Sequence, residues 1–279
     1  MDQQNLINIA LAGLLAFVPA LFWGLIFYKK QPENKITTLR LFLAGAVSVA
    51  PLLLYKYLWQ FFPWINAFLY TNTFQDDMIG FANLTVVPLD VLLTFMIVGV
   101  IEELAKFSAV KMIDHKKIDS ITDCIEYFIL VALGFAFAEN IIYFLNIIQV
   151  RGVDSVFLPF IFRSLFSTFA HVMFSGIFGY FYGLAKFAGP VLDENYNHDK
   201  WPLLRKMVSW LHLNRLKTFH DEKIFQGLLI AVTLHAFFNI FLEMNWTFLI
   251  VPFLTVGFIL LSYMFDNRRM EKHYQEIEE

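Results

Sequence analysis

Four stretches of this sequence place ionisable or carboxamide side chains inside runs otherwise written in Leu, Ile, Val, Phe, Ala and Gly. They are Val100-Ile101-Glu102-Glu103-Leu104-Ala105-Lys106-Phe107, Phe135-Ala136-Phe137-Ala138-Glu139-Asn140-Ile141-Ile142-Tyr143, Phe169-Ala170-His171-Val172-Met173-Phe174-Ser175 and Leu234-His235-Ala236-Phe237-Phe238-Asn239. A Glu taken out of water and set beside a second carboxylate is suited to general-base work on water near neutral pH. Two histidines and an asparagine can donate hydrogen bonds to a developing oxyanion. Together these parts fit attack of an activated water on an amide. Two His and one Glu are also a common catalytic zinc set, which makes Glu103, His171 and His235 candidate metal ligands. The helical zinc signature His-Glu-x-x-His is absent, so residue type permits a metal, zinc among the candidates, and spacing does not require one. No Ser-His-Asp order is evident, and the single Cys124 has no His near it in sequence.

Helical spacing groups these residues further. Glu102 and Lys106 are i,i+4 while Glu103 and Lys106 are i,i+3, so Lys106 can pair with either. Adjacent residues point about 100° apart, which leaves the other Glu free to face a cavity. His235 and Asn239 share one helix face, as do His171 and Ser175, and Glu139 and Tyr143. Arg163, early in its apolar run, reads as a side chain that snorkels outward.

The elements that must hold these groups follow from composition. Of 279 residues, 58% are hydrophobic and 16% charged, and 33 are Phe; a soluble domain usually carries about 25% charged residues. Mean hydropathy is +0.58. The formal charge of -3 excludes a broadly basic nucleic-acid surface. A bilayer core takes about 20 apolar residues per helix, and seven segments qualify, at about 6–28, 39–62, 86–110, 123–149, 156–187, 224–243 and 246–265. The expectation is an all-α polytopic membrane protein of about seven transmembrane helices, a single integral domain over 1–279, with a polar cavity among helices three to six. Pro51 and Pro88 are predicted kink sites. Residues 63–85 read as a folded or re-entrant external segment. Residues 199–219 read as a helix lying in the cytoplasmic interface, with Trp201, Leu204, Val208 and Leu211 on its apolar face.

Lys29, Lys30, Lys35 and Arg40, then Lys106, Lys111, Lys116 and Lys117, then the seven cations between 186 and 223, then Arg268, Arg269 and Lys272 all fall on one set of loops. Of the 21 Lys and Arg residues only Lys56, Arg151 and Arg163 lie elsewhere. The positive-inside rule therefore predicts an outside N-terminus and a cytoplasmic C-terminus. Counting at 1.5 Å per residue from the cytoplasmic ends puts Glu102 at roughly 12 Å, His235 at roughly 16 Å, His171 at roughly 21 Å and Glu139 at roughly 24 Å. A charged group at membrane depth costs about 2.5–3.5 kcal/mol on insertion scales, so each is a functional candidate.

The ordered set Glu102-Glu103-Leu-Ala-Lys106, Phe135-Ala-Phe-Ala-Glu139-Asn140-Ile-Ile-Tyr143, His171 and His235-Ala-Phe-Phe-Asn239 resembles the PrsW family of intramembrane proteases over about residues 95–245. Similar patterns run through a wider superfamily that includes the CAAX prenyl endopeptidases. The resemblance implies proteolysis of a membrane-spanning protein substrate, of the kind in which an anti-sigma factor receives its first cut in a stress response. It implies Glu102 and Glu103 as the water-activating base and its partner. His171 and His235 would bind the oxyanion or a metal, Asn239 would assist, and Glu139 would be a further site carboxylate. The family is often labelled metalloprotease, whereas its CAAX relatives look glutamate-dependent. A proton-coupled transporter and a catalytically silent scaffold are the competing readings of buried Glu and His.

Overall fold

The computed structural model describes residues 3–28, 35–81, 85–113, 118–187 and 215–266. In chain order these form α1 (Gln3–Tyr28), α2 (Lys35–Val47), α3 (Ala50–Leu58), α4 (Ala67–Thr71), β1 (Met78–Phe81), β2 (Thr85–Pro88), α5 (Leu89–Ile113), α6 (Ile121–Arg151), α7 (Phe157–Phe162), α8 (Thr168–Phe187), α9 (Arg215–Glu243) and α10 (Ile250–Asp266). Short 3₁₀ turns join several of them, and one π turn, Arg163–Ser167, joins α7 to α8.

The chain is an all-α polytopic membrane protein. Six stretches among the described residues are long and apolar enough to cross a bilayer: Gln3–Ile26, Lys35–Leu58, Ile121–Arg151, Val153–Phe187, Phe219–Glu243 and Thr247–Phe265. The segment expected at 86–110 is α5, whose 25 residues would reach about 37 Å. It differs from the six in carrying Asp90, Glu102, Glu103, Lys106 and Lys111. Large apolar side chains such as Leu14, Val47, Leu158, Val256 and Tyr263 are about two-thirds exposed or more. Lipid, not water, suits such a surface.

α6 is the hub, packing against α8, α2 and α1, while α9 packs on α8 and α5. Its start is fixed by Ser120, whose Oγ accepts the Asp123 N–H at 3.0 Å. Its end is fixed by Gly152, the residue after the last turn, at φ 85°. Between them it buries Phe128, Phe135 and Phe144 almost completely, and Phe174 and Phe178 of α8 are equally enclosed.

Two glycines allow α2 to touch α6 backbone to backbone. A Cβ on Gly45 would lie 2.0 Å from the Val131 carbonyl oxygen, and one on Gly134 would lie 1.9 Å from that of Phe42. Small residues at such crossings replace the hydrophobic drive that lipid removes. Gly134→Ala is therefore expected to cost about 1–3 kcal/mol by forcing the backbones apart, read as an earlier unfolding transition in detergent. Gly13→Ala, where a Cβ meets nothing within 4 Å, should leave that transition in place.

Local chemistry moves some expected features. The second span, Lys35–Leu58, is interrupted at Ser48 and Val49, just ahead of the predicted kink residue Pro51. Ser48 turns its hydroxyl back onto Gly45 O at 2.7 Å, and Pro51 sits in the first turn of α3, where its missing N–H costs nothing. Pro88 ends β2 and lies outside α5, so it kinks no helix. Residues 63–81 are folded, ending in β1, which pairs antiparallel with β2 in the register Met78↔Pro88 to Phe81↔Thr85; no strand was expected there. Of the interfacial helix expected at 199–219, residues 199–214 lie outside the described residues. Residues 215–219 open α9, which starts earlier than the predicted 224.

Candidate active site

Four elements bring the predicted residues together. α5 presents Glu102, Glu103 and Lys106; α6 presents Glu139 and Asn140; α8 presents His171 and Ser175; α9 presents His235. Glu103 is 0% exposed, Lys106 1% and His235 3%. Glu139, the outlier by depth, lies in direct contact with His171, its Oε2 3.0 Å from His171 Nε2. Counted from the opposite helix ends, Glu102 is about 20 Å from Leu89, Glu139 about 18 Å from Arg151 and His235 about 12 Å from Glu243.

The adjacent glutamates divide as their 100° separation requires. Glu103 takes Lys106, Nζ to Oε1 2.6 Å. The same oxygen receives His235 Nδ1 at 3.1 Å, and Oε2 accepts the Ser175 hydroxyl at 3.2 Å. Glu102 faces the other way. Its Oε2 is buried without a hydrogen-bond partner and lies 3.5 Å from His235 Nε2.

Donor and acceptor roles follow from the partners. A carboxylate only accepts, so His235 carries a proton on Nδ1 and, as the neutral imidazole, turns a bare Nε2 to Glu102. With Glu102 ionised and His235 neutral, two acceptors confront each other across 3.5 Å. Buried acceptors without a donor are costly, and a cation or a water is what this gap accepts. His171 is set in the same manner. Nε2 donates to Glu139, and Nδ1 accepts from Lys106 Nζ at 3.2 Å.

One ligand atom each from Glu102, His171 and His235 lies within 4.8 Å of the others. Two imidazoles and a carboxylate form a catalytic zinc donor set. Each imidazole also has the carboxylate partner that metal-binding histidines usually keep, Glu139 for His171 and Glu103 for His235. The residues therefore fit a divalent metal, with Glu102 in the place the sequence reading gave to Glu103. Glu103 is spent on Lys106, His235 and Ser175. Both nitrogens of His171 are already in hydrogen bonds, so a metal there takes the place of one of them.

Asn239 lies one turn beyond His235, half-buried and without a hydrogen bond among the described residues. Arg163 contradicts its expected outward course. Its side chain is 13% exposed and its NH2 lies 2.8 Å from Glu139 Oε2. It also donates through Nε to Asn140 Oδ1. Ser175 and Asn140 join the same cluster, Ser175 through Glu103 and Asn140 through Arg163 and Thr168. Their i,i+4 and neighbouring positions relative to His171 and Glu139 were the available signal.

The model of the family described as PrsW family intramembrane metalloprotease matches residues 33–265. A Protease PrsW of Clostridioides difficile (strain 630) is 26% identical over 270 residues, covering 93% of this chain and 90% of that one. A Protease PrsW of Geobacillus kaustophilus (strain HTA426) is 38% identical over 96 residues, 34% of this chain and 39% of its own. A Protease PrsW of Bacillus subtilis (strain 168) is 24% identical over 81% of this chain and 79% of its own length. No solved structure matches.

Proposed function

The chain belongs to the PrsW family of intramembrane metalloproteases, and from that premise we propose that it hydrolyses a peptide bond of a membrane-spanning protein with water activated at Glu102. The observation that carries the reading is the buried Glu102 oxygen without a hydrogen-bond partner, 3.5 Å from Nε2 of His235. A protease of this family works in a membrane on a protein substrate; the anti-sigma-factor-like class of that substrate is part of the proposal.

In the proposed reaction a water enters beside Glu102 and gives it a proton as the oxygen attacks the scissile carbonyl carbon. The developing oxyanion is met by the carboxamide N–H of Asn239, while His171 and His235, whose N–H groups are engaged by Glu139 and Glu103, are the imidazoles that would hold a metal. Glu102 then passes the proton to the leaving nitrogen as the C–N bond breaks. Glu103 holds His235 and Lys106 in register, and Glu139 holds His171. A divalent metal bound by Glu102, His171 and His235 would supply Lewis acidity at the scissile carbonyl, with Glu102 then serving as its ligand in place of free base. The distribution of loop cations supports an outside N-terminus and a cytoplasmic C-terminus as part of this proposal.

The test is cleavage of tagged single-span proteins by the full chain in liposomes. Cleavage should stop on chelation and return with added zinc. Cleavage that survives exhaustive chelation would overturn the metal, and intact substrates across a broad panel would overturn the peptidase assignment for this chain.

A further inference from the structure

Arg163 is the best-connected cation on the flank of the site away from Lys106. Its guanidinium reaches two adjacent residues of α6, Glu139 through NH2 at 2.8 Å and Asn140 through Nε. Its Cζ lies 4.4 Å from the centroid of the Tyr143 ring, one turn further along. The three polar or aromatic positions of the run Glu139-Asn140-Ile141-Ile142-Tyr143 therefore converge on one side chain from another helix. Asn140 closes the circuit, donating to Thr168 Oγ1 at 3.2 Å, and Thr168 in turn donates to Arg163 O at 2.9 Å.

The π turn makes this reach possible. In a regular helix Arg163 and His171, eight residues apart, would point about 80° away from each other. One extra residue in the turn brings them to within about 20°, the separation of an i,i+7 pair. Trp23 of α1 braces the turn, donating Nε1–H to Ser164 O at 2.8 Å while its ring stacks on Phe169 at 4.6 Å.

We infer that Arg163 is a positioning residue: held inward by the π turn, it fixes Glu139, which fixes the tautomer and orientation of His171. Glu139 is the most exposed of the site carboxylates, its side chain 32% exposed against 6% for His171. A carboxylate in that position has solvated rotamers to choose from, and the fork of Arg163 selects the one that meets His171 Nε2. Lysine offers a single point charge and cannot grip Glu139 and Asn140 together.

This inference rests on the proposed role of His171, and the experiment separates the two. In the liposome assay, with rates normalised to monodisperse folded protein, Arg163→Met should lower kcat about 10–100-fold with KM within about twofold. Arg163→Lys should recover part of the loss. Arg163→Met combined with Glu139→Gln should be no slower than Glu139→Gln alone, because both act through one path. Full activity in Arg163→Met, or losses that multiply in the double variant, would overturn the inference. So would a loss explained entirely by less folded protein. If Glu102→Gln remains active, the site itself is misassigned; if Glu102→Gln is inactive while Arg163→Met is not, only the role of Arg163 falls.

Discussion

Glu102→Gln should lower kcat by about 10²–10⁴-fold while leaving the protein as stable as before or more so. The carboxamide keeps the shape of the side chain but cannot take a proton from water. It is also a weaker partner for a metal cation, so the loss holds whether or not an ion assists. Stability moves the other way because of what Glu102 now faces. Its Oε2 is buried without a hydrogen-bond partner and looks at His235 Nε2 across 3.5 Å, two acceptors when Glu102 is ionised and His235 neutral. A Gln amide supplies an N–H to that nitrogen and removes the conflict. Active sites commonly hold strain of this kind, and relieving it trades activity for stability. Unfolding in detergent and cleavage in liposomes measure the two sides. Activity within tenfold of the parent would remove Glu102 from its proposed role, and a marked fall in the unfolding midpoint would show that its carboxylate is satisfied after all.

Much of this arrangement was legible from spacing. The seven apolar segments correspond to helices, and the four polar stretches do meet, because side chains three and four apart share a face in any helix. The choice between Glu102 and Glu103 was not legible. Lys106 sits at i+4 from one and i+3 from the other, and the decision is made by Ser175 and His235, which are 72 and 132 residues away from Glu103. Arg163 was misread for a related reason. Periodicity assumes 3.6 residues per turn, and the π turn at Arg163–Ser167 adds a residue that no hydrophobic pattern announces. The break at Ser48 and Val49 was hidden too, since Pro51 signals a disruption without saying that α3 starts afresh there. The β1–β2 hairpin was hidden because Met78-Ile79-Gly80-Phe81 and Thr85-Val86-Val87-Pro88 carry no polar–apolar alternation to announce a strand.

Lys106→Met should destabilise the protein by about 3–5 kcal/mol, and a second change beside it should restore most of that loss. The ammonium is 1% exposed and the carboxylate it meets is 0% exposed, at 2.6 Å. Lys106 also donates to His171 Nδ1 at 3.2 Å and lies 4.6 Å from the Phe135 ring centroid. Methionine fills the same volume against that ring, so packing is nearly kept. What is lost is the countercharge, leaving Glu103 with Ser175 and His235 in a medium that solvates anions poorly. Adding Glu103→Gln removes the stranded charge, while the Gln oxygen still accepts from His235 Nδ1. A buried ion pair replaced at both ends is often neutral in stability, whereas removing one end is not. The double variant should therefore unfold within about 1 kcal/mol of the parent yet remain catalytically impaired, because His171 has lost the donor on Nδ1. A double variant as unstable as Lys106→Met would mean that packing, not charge, sets the cost. A double variant with full activity would mean that the pair serves the fold alone. The expected split, stability regained and turnover not, assigns Lys106 and Glu103 to holding the two imidazoles in the states that the reaction needs.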